Sequence, residues 1–191
     1  ALLSPTTAPT WGGNINWNFL SVVVGETITW MGTIDNQWSN IENWSLGRTP
    51  ANTDVVVVPA GVSSMPLLLV PVVLNSLTIA EGAELSLNGC DLTVTNTLIA
   101  AGELVAKATE TVTLNGNAAF GNNSMRAARS TLLVDGHEAQ MIDLGGSSFA
   151  RVKVTRSGGE VTINGGAQIE ELIITAIDET PFTCRFAAGK E

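Results

Sequence analysis

Thr111-Val112-Thr113-Leu114-Asn115-Gly116 stands twenty residues after Asp91-Leu92-Thr93-Val94-Thr95-Asn96 and twenty before Thr131-Leu132-Leu133-Val134-Asp135-Gly136. Each stretch carries two branched aliphatics two positions apart, with mostly polar residues between and beside them. That is the period of a strand whose successive side chains point to opposite faces. The pair extends back to Val72/Leu74 and forward to Val152/Val154 and Leu172/Ile174, with Leu, Val or Ile at every position. A constant return after twenty residues marks a repeat architecture.

Turn-forming pairs follow or interleave with these strands: Asn88-Gly89, Asn115-Gly116, Asp135-Gly136 and Asn164-Gly165. Such pairs tolerate positive φ and reverse the chain sharply. A second strand per unit is predicted about ten residues from the first, at Leu85–Leu87, Leu104–Ala106, Gln140–Ile142, Val161–Ile163 and Phe182–Cys184. Strand, turn, strand, turn at constant length is what a β-solenoid needs, since every coil must place its strands about 4.8 Å above those of the coil before. The predicted fold is therefore all-β, a single-stranded parallel β-helix of about 20 residues per coil. An antiparallel sandwich or jelly roll with regular hairpins is the alternative. Helix-compatible stretches are short, Met125–Arg129 and Ala167–Glu171.

Residues 1–53 break the pattern and hold all five tryptophans, Trp11, Trp17, Trp30, Trp38 and Trp44. A solenoid's terminal coil exposes core side chains and unpaired backbone, so a segment of atypical sequence is expected to cap it. We divide the chain into an N-terminal arm over residues 1–29 and a solenoid over 30–191, the latter beginning with a Trp-rich cap at 30–53. At the other end, Pro181-Phe182-Thr183-Cys184-Arg185-Phe186 still reads as strand and turn. The native protein is expected either to continue past Glu191 or to have that edge covered by another chain.

Composition narrows the partners. The 191 residues are 45% hydrophobic and 14% charged, a balance that orders a core. Net charge is −9, with nine basic residues scattered among eighteen acidic ones, which leaves no patch able to neutralise a phosphate backbone. Nucleic acid is not an expected partner. Apolar runs such as Val55–Val58 and Leu67–Val70 fall far short of the roughly 20 residues of a membrane helix, so no membrane insertion is expected. The chain begins with Ala, compatible with a mature exported protein or a fragment. Cys90 and Cys184 are too few for a disulfide scaffold and read as small apolar residues.

The segment Trp30-Met-Gly32 through Trp38-Ser-Asn-Ile-Glu-Asn-Trp44-Ser-Leu-Gly-Arg-Thr-Pro50, followed by Asp54-Val-Val-Val-Val-Pro59, resembles the opening of right-handed parallel β-helices in large bacterial secreted and surface proteins. Ser76–Leu87 and Leu92–Thr95 are similar to the first coils of those proteins, and the likeness extends over residues 30–175. The family includes adhesins, autotransporter-like passengers and cell-envelope proteins. The resemblance implies an extracellular or cell-surface location and a right-handed coil, and specifies no chemistry.

Parallel β-helices also include polysaccharide lyases and hydrolases, whose sites need carboxylates clustered on one outer face. The twenty-residue register shows which residues stack. The outward column Thr93, Thr113, Leu133, Lys153, Ile173 holds one charge, and Thr95, Asn115, Asp135, Thr155, Thr175 holds one more. His137, the single histidine, sits in a turn and reads as a solvated residue. No Ser or Cys is set in a nucleophile motif, so the chain is not expected to be an enzyme. Asp35, Asn36, Asn40, Glu42, Asn43 and Asp54 could offer oxygen ligands to calcium in the cap, but no EF-hand or nonapeptide loop frames them. We read them as turn-forming residues and expect no cofactor. Thr93/Thr95 and Thr111/Thr113 raise ice binding, which the interruptions at Leu133, Lys153 and Ile173 oppose.

What remains is a stiff stack with interactive ends. The expected function is an extracellular structural or adhesive module, in its specific form a self-assembling subunit of a surface fibre. Asn14–Trp30 would be the arm, with Trp11, Trp17, Phe19, Val22 and Val24 as assembly or ligand residues and Trp30, Trp38 and Trp44 packed in the cap. Phe182 and Phe186 would mark the open edge that a neighbouring copy, or another part of a larger surface protein, covers. A carbohydrate-binding module, with exposed indoles stacking on glycan rings, is the alternative.

Overall fold

The computed structural model of the chain describes residues 25–178 and 180–187. Within them the regular structure is strand, apart from one 3-10 turn at Ile41–Asn43. In chain order the strands are β1 (Thr27–Thr29), β2 (Val55–Val58), β3 (Val72–Ile79), β4 (Glu84–Ser86), β5 (Leu92–Ala100), β6 (Glu103–Ala106), β7 (Thr111–Leu114), β8 (Asn117–Phe120), β9 (Met125–Ala127), β10 (Thr131–Val134), β11 (Gln140–Asp143), β12 (Ser148–Arg156), β13 (Glu160–Asn164), β14 (Gln168–Ala176) and β15 (Thr183–Phe186). The pairings between them are parallel, as a solenoid requires. Neither helix-compatible stretch is helical: Met125–Ala127 form β9, and residues 168–171 open β14. Stacking on neighbouring coils overrides the local helical propensity there.

The aliphatic register is kept residue for residue. Leu92 pairs with Val112, Val112 with Leu132, Leu132 with Val152, and Val152 with Leu172. This column forms a first face from the opening halves of β3 and β5 and then β7, β10, β12 and β14. A second face runs β1, β2, the closing halves of β3 and β5, then β8, β11, β13 and β15. A third carries β4, β6 and β9, continued by Ser148 and Gln168 at the starts of β12 and β14.

The coil is therefore three-sided. The second strand expected in each unit divides between two faces: Leu85–Leu87 and Leu104–Ala106 belong to the third, Gln140–Ile142, Val161–Ile163 and Phe182–Cys184 to the second. Short strands on different faces of unequal loop length blur into one loose signal in the sequence, which explains the ragged register there.

Corners need glycine for two different reasons. At Asn88-Gly89 both residues have positive φ, 52° and 85°, which glycine adopts without strain and asparagine tolerates. At Asn115-Gly116 the need is space, because a Cβ on Gly116 would come within 1.7 Å of the Asn96 carbonyl oxygen. Inside the coils the repeat residues form one apolar core, with Leu92, Val112, Val134, Val152 and Val154 fully buried. The first strand, β1, stacks on β2, so the solenoid already includes Thr27–Thr29 from the segment assigned to the arm. No described helix is long and apolar enough to cross a membrane.

Candidate functional site

The tryptophans of the cap are sealed. Trp30, Trp38 and Trp44 are 0%, 4% and 3% exposed, and Trp44 packs edge-to-face on both others, with ring centroids 5.0 Å apart for Trp30–Trp44 and 4.6 Å for Trp38–Trp44. Each of two indole N–H groups has found a partner, Trp30 Nε1 donating to the Ser64 carbonyl at 2.7 Å and Trp44 Nε1 to the Trp38 carbonyl at 2.8 Å. No face of these three rings is free to stack on a sugar. Trp11, Trp17, Phe19, Val22 and Val24 lie outside the described residues.

Asp35, Asn40, Asn43 and Asp54 bond to one another's side chains, to Arg48 and to nearby backbone, whereas the Glu42 side chain makes no hydrogen bond within the described residues. Asp35 accepts from the Gln37 amide and from the side-chain amides of Asn40 and Asn43, and these bonds hold its carboxyl below the usual range. Asn40 caps the 3-10 turn by accepting from the Glu42 amide. Asp54, fully buried, takes both Arg48 guanidinium nitrogens and the amides of Ala51 and Glu26. The Arg48 bonds come first in lowering its carboxyl to about 2, followed by the backbone amides, against the cost of burial. Among the described residues no three His, Cys, Asp or Glu side chains converge in a way that could hold a metal.

Along the coils, buried polar residues act as inter-coil ties. Glu110 is 1% exposed and accepts from the amides of Gly89, Lys107 and Ala108. Burial opposes its charge, yet these amides together keep its carboxyl below the usual value. A second tie fills one corner. Gln140 donates to the carbonyls of Leu114 and Gly116 and accepts from the Gly136 amide and from Arg156 Nη1. Arg156, itself 0% exposed, also donates to the carbonyls of Gly158 and Glu138. Burial pushes its guanidinium below its ordinary value, an effect the nearby Cys184 and Asp135 offset in part. Cys90 and Cys184 are free and partly buried.

On the first face, a shallow groove runs between Thr111, Thr131, Leu133, Arg151, Lys153 and Glu171. The register stacks Arg151 directly on Glu171, and the two pair at 2.6 Å. This column, Asp91, Thr111, Thr131, Arg151, Glu171, lies one position before the aliphatic pair and carries more charge than either outward column weighed in the sequence. Scanning that third register would have found it. His137 Nδ1 lies 3.1 Å from Ser157 Oγ at an exposed corner, a contact between adjacent coils that the lone turn residue did not announce.

The far end is different in kind. Leu172 and Ile174 continue the inward column, stacked on Val152 and Val154, but are 42% and 45% exposed where their partners are fully buried. Phe186, stacked on Ile163, is 52% exposed, and Phe182 and Cys184 are only partly covered. Among the described residues, β14 pairs with β12 alone and β15 with β13 alone. The end thus presents a row of core-type side chains flanked by open strand edges, the arrangement that recruits a further strand.

No curated protein and no solved structure gave a match to the chain. A family model described as "Domain of unknown function (DUF8693)" matches residues 29–135, which covers the buried tryptophans and the coils through β10. The chain belongs to that family.

Proposed function

We propose that this β-solenoid serves as an extracellular structural or adhesive module that associates end to end into a surface fibre, through its N-terminal arm and its open C-terminal edge. The observation that carries the reading is the exposure of Leu172, Ile174 and Phe186, whose register partners Val152, Val154 and Ile163 in the preceding coil are buried. Fully burying a side chain of this size is worth about 1.5–3 kcal/mol, so covering three half-exposed ones favours association by a few kcal/mol before entropy is counted. Contact between unlike ends is heterologous and propagates as a filament unless it closes into a ring. The buried carboxylates and the buried Arg156 all tie coil to coil, which supports a role in stiffness and assigns no catalysis. Sedimentation and electron microscopy across a wide concentration range test the reading, with elongated polymers expected. A chain monomeric at millimolar concentration refutes it.

A second reading, a carbohydrate-binding module, draws on the groove beside Arg151 and Lys153, whose hydroxyls and mixed charges suit a polar glycan. Glycan-array binding that Arg151→Ala abolishes would favour it over the fibre.

A further inference from the structure

The proposed end-to-end association leaves open what covers β14. We infer that the occupant is residues Ile15–Phe19 of a second copy, added in parallel to the free edge of β14, with Ile15, Trp17 and Phe19 facing Leu172 and Ile174 and with Asn16 and Asn18 turned outward. The inference rests on the self-assembly reading and specifies its contact.

Three observations select this segment. First, the site requires a strand with apolar residues at alternate positions, since β14 offers Leu172 and Ile174 two residues apart in the inward column. Ile15-Asn16-Trp17-Asn18-Phe19 has that alternation and lies outside the described solenoid. The exposed apolar residues of the cap do not supply it, because Ile34, Ile41 and Leu46 sit on a bend, the 3-10 turn and a turn, and Met31 lies outside any strand.

Second, charge permits it. The β14 end carries exposed Glu170, Glu171 and Asp178 on a chain of net charge −9, so a second acidic surface would be repelled. Residues 1–25 contain no charged side chain.

Third, chain length decides between the same copy and another. Strands β1 and β15 terminate the second face, in the order β1, β2, β3, β5, β8, β11, β13, β15. Seven steps of about 4.8 Å put the two ends roughly 34 Å apart, and an added strand lies one step further. Phe19 precedes β1 by eight residues, which reach at most about 29 Å fully extended. Ile15–Phe19 therefore cannot pair along the end of its own solenoid, and a neighbour must supply it.

Two full-length variants test this. Trp17→Asp with Phe19→Asp removes the donor strand, and Leu172→Asp with Ile174→Asp removes the acceptor edge. Each alone should sediment as a monomer, with the polymer fraction reduced at least tenfold and the circular dichroism of the wild type. Mixed in equal amounts they should form a dimer and nothing longer, since one intact arm meets one intact edge. A synthetic peptide of residues 12–24 should also cap wild-type polymers and shorten them, which keeps the test valid if the acceptor variant misfolds.

Wild-type polymers with a donor variant that polymerises equally well would overturn the arm contact while leaving self-assembly intact. A monomeric wild type whose β14 amides lose hydrogen-exchange protection in the donor variant would place the arm on its own end and overturn the inference. A monomer with no such protection would remove both readings.

Discussion

Val154 and Ile174 are register partners in adjacent strands, yet Val154 is 0% exposed and Ile174 is 45% exposed. The two residues are chemically near-equivalent and occupy the same place in the repeat. What separates them is the presence of a further coil above Val154, and that difference is the physical basis of the proposed function.

Truncations within the column should therefore have unequal costs. Leu132→Ala, in a closed coil, is expected to cost about 2–5 kcal/mol, whereas Leu172→Ala in the isolated chain should cost less than half as much. Denaturant unfolding at low protein concentration measures both, and equal losses would mean that the end is covered.

The cap should behave as core and not as a ligand platform. Trp44→Ala is expected to destabilise by about 3–5 kcal/mol, because it opens a cavity between Trp30 and Trp38 and leaves the Trp38 carbonyl without its donor. The emission of Trp30, Trp38 and Trp44 should not respond to glycans or to iodide quenching.

Asp54 gives the cap a pH signature. Its carboxyl titrates near pH 2 in the folded chain against 3.8 for an ordinary aspartate, so the unfolded chain binds the proton more readily. The stabilisation is therefore complete above pH 4 and is lost as the pH falls from 4 towards 2. Asp54→Asn should flatten that part of the stability profile while lowering stability at neutral pH, measured by thermal melts at pH 2, 3, 4 and 7.

Gln140 and Arg156 should be energetically coupled. Removing either strands the other's polar atoms inside a corner, so a double-mutant cycle with Gln140→Leu and Arg156→Met is expected to return about 1–3 kcal/mol of coupling. Additive losses would indicate that each residue contributes through packing alone.

Gly145 should tolerate no side chain. It has a φ of 55°, and a Cβ there would approach the Phe120 carbonyl oxygen to 1.7 Å. Gly145→Ala is expected to cost more than about 1 kcal/mol, whereas Gly47→Ala, with open space around it, should cost only about 1 kcal/mol for its positive φ.

The amino-acid sequence by itself determined the twenty-residue coil, the inward column and the contrast between the Trp-rich start and the repeat. These are legible because alternation and constant return are properties of consecutive residues, imposed by the pleat of each strand and the fixed spacing between coils. Only the tertiary structure decided that each coil has three faces, since corner lengths vary and shift the shorter strands against the period. It also decided that Glu110, Gln140 and Arg156 are buried, because each takes at least one partner from an adjacent coil, Gly89, Gly116 and Glu138 respectively. The open end was half legible: Phe182 and Phe186 flagged it, but Leu172 and Ile174 are the same residue types as the closed core. Their exposure follows from what is stacked above them, which no local pattern encodes.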